Sequence, residues 1–176
     1  MIELRTERLR LRPVRKDDAD PIVALGSDER VMASLGGVMS PDASRGWLDK
    51  QLVHWREHRF GLFFVSRDDR FVGLVGLSRS NFDEGIVPGV EVAWRLVFAN
   101  WGNGYASEAA RAVIDDGEAR LGIRDIVAAT TLRNARSLAV MKRLGMTPSP
   151  SEAFEHPRLP QGSALRAHVV YRRTAR

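Results

Sequence analysis

The segment Trp101-Gly102-Asn103-Gly104-Tyr105-Ala106-Ser107-Glu108 carries the clearest chemistry in the chain. Its glycines let backbone amides turn toward a ligand. The apolar spacing that follows reads as the start of a helix, which adds unpaired N–H groups and the positive end of a dipole. Together these make an anion site that needs no charged side chain and suits a phosphate. The same residues also describe an ordinary glycine-containing strand–helix turn, and the pattern alone does not separate the two.

Exclusion narrows the phosphate ligand. No GK[ST] follows, so the lysine and magnesium-binding hydroxyl of the P-loop are missing. A dinucleotide fingerprint wants a third glycine and an acid closing the next strand. Here the third position is Ser107 and the next strand ends at Thr130-Thr131. His54-Trp55-Arg56-Glu57-His58 matches the H-x-x-E-H zinc pattern, but a strand starts directly at Phe60-Gly61, so a solvated helix face is the better reading and no metal is expected. Cysteine is absent, which excludes thiol catalysis, Cys-ligated zinc, iron–sulfur clusters and disulfides together.

The elements that must position the turn alternate between strand and helix periodicity. Leu4 and Leu9 to Arg12 read as one half-buried opening strand closed by Pro13. Asp17-Asp18 caps a short helix through Leu25, and a second short piece follows around Arg30 to Leu35. Ser40-Pro41 starts a helix that carries Trp47, Leu48, Leu52 and Trp55 on one stripe and fades by His58. Phe60 to Ser66 and Phe71 to Leu77 form an antiparallel hairpin, and Gly89 to Val97 is the next strand. After the glycine turn, Ala106, Ala109, Ala110, Val113 and Ile114 lie at helical spacing as far as Gly122. Ile126 to Thr131 is a strand, Asn134 caps a helix ending at Gly145, and Ala164 to Tyr171 closes the chain as a strand. This order predicts a mixed α/β sheet, antiparallel early and partly parallel later.

At 176 residues the chain is one domain's worth, expected to span 1–176. No apolar run approaches a membrane span, and Met1 to Arg5 lacks a signal-peptide core, so a soluble cytoplasmic protein is expected. The net charge is +5, and all but three of its 27 cations are arginine. They are scattered along the sequence, which reads as compositional bias and argues against a nucleic-acid partner.

Glu91-Val92-Ala93-Trp94-Arg95-Leu96 followed by Trp101 to Ala109 closely resembles the acyl-CoA motif of the GNAT superfamily of N-acetyltransferases. It looks most like the RimJ/RimL-like branch, whose usual wording is WGKGYATEA. The likeness continues through Asn134-Ala135-Arg136-Ser137, Lys142 to Met146, His156 to Pro160 and Leu165 to Arg172, and includes the opening Thr6 to Arg12. The resemblance implies a GNAT fold: an α/β (α+β) chain whose mixed, mostly antiparallel central sheet is splayed at strands four and five and flanked by helices. It implies acetyl-CoA as cosubstrate and direct transfer of the acetyl group to a primary amine, either a protein N-terminus or a small amine. A homodimer is plausible for the branch. The competing class is a non-catalytic acyl-CoA-binding module.

The family pattern assigns roles by position. The pyrophosphate falls to the amides of Gly102, Asn103, Gly104, Tyr105, Ala106 and Ser107, with Trp101 opening the motif. The pantetheine arm pairs with the backbone of Leu96, Val97 and Phe98, and Asn134 hydrogen-bonds it from the facing helix. An N–H near Val97 or Phe98 polarises the thioester carbonyl. Lys142 is a candidate cation at the nucleotide end, and Asn103 stands where the branch has lysine. Glu91 aligns with an acid that some members use as general base, and it is equally readable as a strand-edge carboxylate paired with arginine. Met141 occupies the position of the family's tyrosine acid, which leaves Ser137 as proton donor unless it merely bonds back to its helix, or water as carrier. Glu108 in the first helical turn is assigned to structure. His156 and His168 lie where the branch lines its acceptor pocket. Asp83, Glu84, Glu152 and Glu155 are loop carboxylates that would attract a cationic acceptor.

Overall fold

The computed structural model describes residues 2–79 and 87–174; Asp83 and Glu84 lie outside the described residues. The elements are β1 (Leu4–Arg5), β2 (Arg10–Pro13), α1 (Ala19–Ser27), α2 (Glu29–Met32), α3 (Pro41–His58), β3 (Leu62–Arg67), β4 (Arg70–Arg79) and β5 (Val90–Leu96). They continue with α4 (Tyr105–Leu121), β6 (Asp125–Thr131), α5 (Ala135–Arg143), β7 (Thr147–Pro148), β8 (Phe154–Glu155) and β9 (Ala167–Thr174). The sheet runs β1-β2-β3-β4-β5-β6-β9-β7, with β8 also on β9. Every pairing is antiparallel except β5 with β6.

That parallel pairing governs the site. β5 and β6 are in register only at Val90↔Ile126 and Glu91↔Val127. Beyond Glu91, β5 stays on β4 as far as Leu96, while β6 stays on β9 as far as Thr131. The two strands therefore diverge and leave a wedge between their C-terminal halves. This is the expected splay: the fourth and fifth strands of the sequence reading are β5 and β6, because the opening strand divides in two.

The division has a local cause. Thr6 N–H bonds the Leu9 carbonyl at 3.0 Å and Leu9 N–H bonds Thr6 Oγ1 at 3.0 Å, turning the chain so that Leu4 faces Leu11. Asp18 precedes α1 as the sequence suggested but bonds no N–H of its first turn; its carboxylate instead closes a capping box on the 3-10 turn Lys16–Asp18 that leads into α1. It is buried, holds Arg12 through both guanidinium nitrogens (2.5 and 2.8 Å) and accepts the Arg15 N–H. A nearly fully buried carboxylate needs the cation more than the helix end needs a cap. Other signals hold, although the closing strand starts at Ala167 rather than Ala164 and two short strands fall in the Pro-rich stretch before it. Ser40 accepts the Ala43 N–H ahead of α3, and Gly122 closes α4 at positive φ. Asp68 and Asp69, both at positive φ, make the β3–β4 turn.

The sheet buries both faces. Phe63, Val65, Val75, Leu77, Val92 and Leu96 pack against Ala109, Ala110, Val113 and Ile114 of α4 and Met141 of α5. Leu62 and Leu74 join Ile22, Leu25, Met32 and Leu48 on the α1–α3 side. Strand alternation thus gives Val92 and Leu96 to the α4 face and turns Glu91, Ala93 and Arg95 to the other. No helix among the described residues is long and apolar enough to cross a membrane.

Candidate acyl-CoA and amine cleft

The wedge between β5 and β6 opens into a cleft of about 1170 Å³, floored by β5 and walled by the 100–107 turn, α5 and the segment after α2. Such a volume is large for one small ligand and suits an extended one together with an acceptor.

The turn is built as the sequence suggested. Gly102 and Gly104 both sit at φ +80°, where a side chain would be strained, and Gly104 precedes the first residue of α4. Glu108 N–H is bonded to the Gly104 carbonyl at 3.1 Å, so the amides of Tyr105, Ala106 and Ser107 precede the helix ladder and are free to meet an anion. Ser107 Oγ is buried and finds no partner among the described residues. Asn103 braces the turn by donating to the Asn100 and Trp101 carbonyls, which accounts for an amide at this position.

The outer side of the turn is tied to the β1–β2 connection. Arg8 donates to the Asn103 carbonyl at 3.1 Å and to Glu108 Oε2 at 2.7 Å, and lies over the Tyr105 ring. Glu108 also accepts from Thr6 Oγ1 and the Arg8 N–H, while Arg67 donates to the Tyr105 hydroxyl. Burial pushes the Glu108 carboxyl up, but the hydrogen bonds from Thr6 and Arg8 outweigh it and the net direction is down. Glu108 therefore clamps the anion-binding turn to the first hairpin. A depressed carboxyl contributes stability above its unfolded pKa and loses it as pH falls through the folded value. Glu108→Gln should lower stability at pH 7 by about 1–2 kcal/mol, with the deficit shrinking below pH 4.5, as thermal melts across pH would read.

The open edge of β5 faces the cleft. Val97 N–H is committed to the Val72 carbonyl at 3.0 Å, so by strand alternation the backbone groups of Trp94 and Leu96 point to the edge that β6 has left. The Leu96 carbonyl there is taken by Trp101 Nε1 at 2.9 Å. Of the three residues expected along this edge, Leu96 lines the cleft and Val97 and Phe98 do not, while Trp94 lines it beside Leu96. The reason is register: β5 ends at Leu96 and the chain turns away through a single 3-10 turn at Phe98–Asn100.

Across the wedge, Ser137 does not bond back to its helix. Its Oγ accepts from Trp94 Nε1 at 3.2 Å, which leaves the hydroxyl proton free to donate. Asn134 caps α5 by accepting the Ser137 N–H at 3.1 Å and donates to Ser34 Oγ at 3.1 Å. Its amide thus ties α5 to the segment after α2, and the residue also lines the cleft. Glu91 lines the cleft half-buried, and no arginine pairs with it among the described residues; burial pushes its carboxyl up to about 7. Met141 is 1% exposed and belongs to the core behind the cleft.

Three expected residues lie elsewhere. Lys142 is exposed outside the lining, and the neighbouring cations at the cleft are Arg133, Arg136 and Arg143. The arginines that read as scattered in sequence are gathered by the fold, and Arg136 stacks over Trp101 at 4.9 Å. His156 and His168 pack ring against ring at 5.0 Å beside Phe154, off the cleft, although nearby Leu165 lines it. Burial lowers both, and keeps them neutral at pH 7. Glu152 and Glu155 are held by Arg172 and Arg166. His54 is structural: Nδ1 meets the Phe60 carbonyl and Nε2 accepts the Arg79 N–H, tying α3 to β4. Trp94, Ser34 and the arginines Arg30, Arg95, Arg133, Arg136 and Arg143 are among the cleft residues that sequence reading missed. Only Arg136 had a signal, its place beside Asn134 at the start of a helix facing the turn.

An open strand edge lies beside an amide-lined anion site, with five arginines and one carboxylate lining the cleft among the described residues, a shape and charge that suit an extended, phosphate-bearing ligand in a split sheet. The orphaned Ser107 hydroxyl and the free amides of α4 fit the phosphates of an acyl-CoA. The acetyltransferase (GNAT) domain profile matches residues 8–147. An acetyltransferase from Agrobacterium tumefaciens str. C58 superposes with TM-score 0.81 at 26% identity, covering 99% of this chain and 95% of that one. A RimL ribosomal L7/L12 alpha-N-protein acetyltransferase in complex with coenzyme A shares the fold, with TM-score 0.80 at 16% identity over 96% of this chain and 95% of that one. An uncharacterized N-acetyltransferase, p20, from Bacillus licheniformis is 28% identical over 149 residues, 82% of either chain. The chain belongs to the GNAT acetyltransferase family.

Proposed function

We propose that this protein is an acetyl-CoA-dependent N-acetyltransferase that moves the acetyl group directly to a primary amine on a small molecule or a protein N-terminus. The observation that carries this reading is that the Glu91 carboxyl, unpaired among the described residues, and the start of α4 with its free amides open into the same cleft. The fold it shares with protein N-terminal acetyltransferases supports the acceptor class.

Acetyl-CoA supplies an activated thioester. The chain's own groups would do the rest. The amides of Gly102 to Ser107, with Arg133, Arg136 and Arg143, would hold the phosphates, and the open edge of β5 at Trp94 and Leu96 would align the pantetheine arm. Glu91, with a carboxyl near 7, would take a proton from the acceptor ammonium, directly or through water. Ser137, oriented by Trp94, would relay to the departing thiolate the proton that the amine nitrogen releases as the tetrahedral intermediate collapses, and so end the cycle as a neutral hydroxyl.

The test is thiol release from acetyl-CoA over a panel of amines and N-terminal peptides. The chain has no cysteine, so any thiol detected comes from the reaction. Binding without release from any amine would favour a non-catalytic acyl-CoA module. Ser137→Ala is expected to lower kcat by about tenfold to a hundredfold while leaving the dissociation constant for acetyl-CoA within about twofold. An unchanged kcat would return the proton to water.

A further inference from the structure

Among the described residues, Arg95 is a cation without an anion. Its guanidinium lies 5.2 Å from the centre of the Trp47 ring and no carboxylate pairs with it among the described residues. It lines the cleft, half-buried, on the same strand face as Glu91. Burial alone lowers it to about 10, which marks a desolvated charge with nothing local to offset it. The other arginines of the cleft are otherwise placed: Arg30 is paired with Asp28, Arg136 stacks on Trp101, and Arg133 and Arg143 belong to the α5 wall.

Nor does Arg95 face the phosphate turn. The start of α4 packs through Tyr105 and Ala109 on the Val92 and Leu96 side of β5, whereas Arg95 leaves β5 toward α3. The group it awaits therefore comes in with the acceptor. Glu91 and Arg95 are four residues apart on one face, about 13 Å between their Cα atoms at the usual strand rise. Side-chain reach shortens this separation at the tips.

Resting on the acetyltransferase reading, we infer that the acceptor is a primary amine that also carries a carboxylate several ångströms away, with the amine at Glu91 and the carboxylate at Arg95. This adds an anionic group to the cationic acceptor that the acidic loops suggested, since Arg95 lines the cleft with no carboxylate paired to it among the described residues. An extended peptide with acidic residues just after its N-terminus meets the spacing, and so does a small ω-amino acid.

The experiment compares two matched pairs. The first is a pair of amidated pentapeptides with free N-termini that differ only in aspartate or asparagine at positions two to four. The second is 6-aminohexanoate against its amide. Binding to the CoA-saturated protein is measured by calorimetry, and kcat/KM by thiol release, in wild type, Arg95→Gln and Arg95→Lys. The expected result is that at least one acidic partner is preferred about tenfold to a hundredfold over its neutral match, and which pair shows it tells peptide from small molecule. The preference should fall to near one in Arg95→Gln and return in part in Arg95→Lys. Wild type with no preference in either pair overturns the inference, as does an Arg95→Gln variant that keeps the preference and instead weakens CoA. Turnover without preference leaves the acetyltransferase standing. Absence of turnover with any amine sinks the acetyltransferase, and the binding ratio still decides the anion site.

Discussion

Replacing Glu91 with glutamine is expected to lower kcat/KM for the amine by about 10²–10⁴-fold and to abolish its rise with pH near 7. An acceptor amine is an ammonium at neutral pH and cannot attack a thioester until a proton leaves. A carboxylate at its ordinary value is a weak acceptor for that proton. Glu91 is different because burial pushes it up to about 7, where it is still substantially ionised at neutral pH and more basic than a solvated glutamate. In wild type, kcat/KM should climb as pH rises through about 7 and level off above it, because the active form is the carboxylate. Affinity for acetyl-CoA should be unchanged, since Glu91 stands on the β5 face away from the start of α4. A Glu91→Gln enzyme with full activity and the wild-type pH profile would remove Glu91 from the chemistry.

The same substitution should stabilise the fold. Glu91 has a pKa raised from 4.5 to about 7, so protonation stabilises the folded state. That contribution is complete below pH 4.5 and is lost as pH rises through 7. Glutamine is insensitive to this loss. The variant should therefore melt higher than wild type above pH 7, by at most about 3 kcal/mol and less where the cleft admits water, with the gain disappearing below pH 4.5. Lost rate together with gained stability, both governed by one ionisation, is what a base held at a strained position predicts and a surface carboxylate does not.

The sequence made the framework readable because its signals are local. Ser40-Pro41, Asn134, Gly122 and the alternation of β5 each state their structure within a few residues, and the Gly102–Ser107 turn announces an anion site by backbone alone. What stayed hidden depends on chain-distant neighbours. Whether Asp18 capped a helix turned on Arg12 across the β2 bend. Whether Val97 offered its N–H turned on Val72 in the strand alongside. Ser137 showed no sign that Trp94, 43 residues earlier, would orient it. Arginines spread along the chain gave no hint that Arg30, Arg95, Arg133 and Arg143 would join Arg136 around one cleft, because convergence in space has no signature in spacing. Lys142 and the two histidines illustrate the converse. Motif position placed them near the site, and helix phase and the turn of β9 took their side chains away from it.

The position of Glu91 depends in turn on how tightly β4 can lie against its neighbours, and Gly76 sets that limit. Gly76 is opposite Leu62 on one side and Ala93 on the other, two residues from Glu91 along β5. A Cβ built at Gly76 would stand 2.2 Å from the Gly61 carbonyl oxygen and 2.5 Å from Leu62 Cα. Both are backbone atoms. The Leu77 N–H bonds that same Gly61 carbonyl at 3.3 Å, and Trp55 Nε1 donates to the Leu62 carbonyl at 2.7 Å, so this corner cannot retreat without breaking bonds. Relief would require β3 and β4 to part in the middle of the sheet. Gly76→Ala is therefore expected to cost about 3 kcal/mol or more, the upper end of overpacking penalties, and to lower the melting temperature by about 6–12 °C. Gly46→Ala, at a helix position where an added Cβ meets nothing within 4 Å, is the matched control and should melt at or above wild type. If Gly76→Ala melted with the control, the close approach of β3 and β4 would not be what fixes β5, and the placement of Glu91 at the mouth of the splay would need another support.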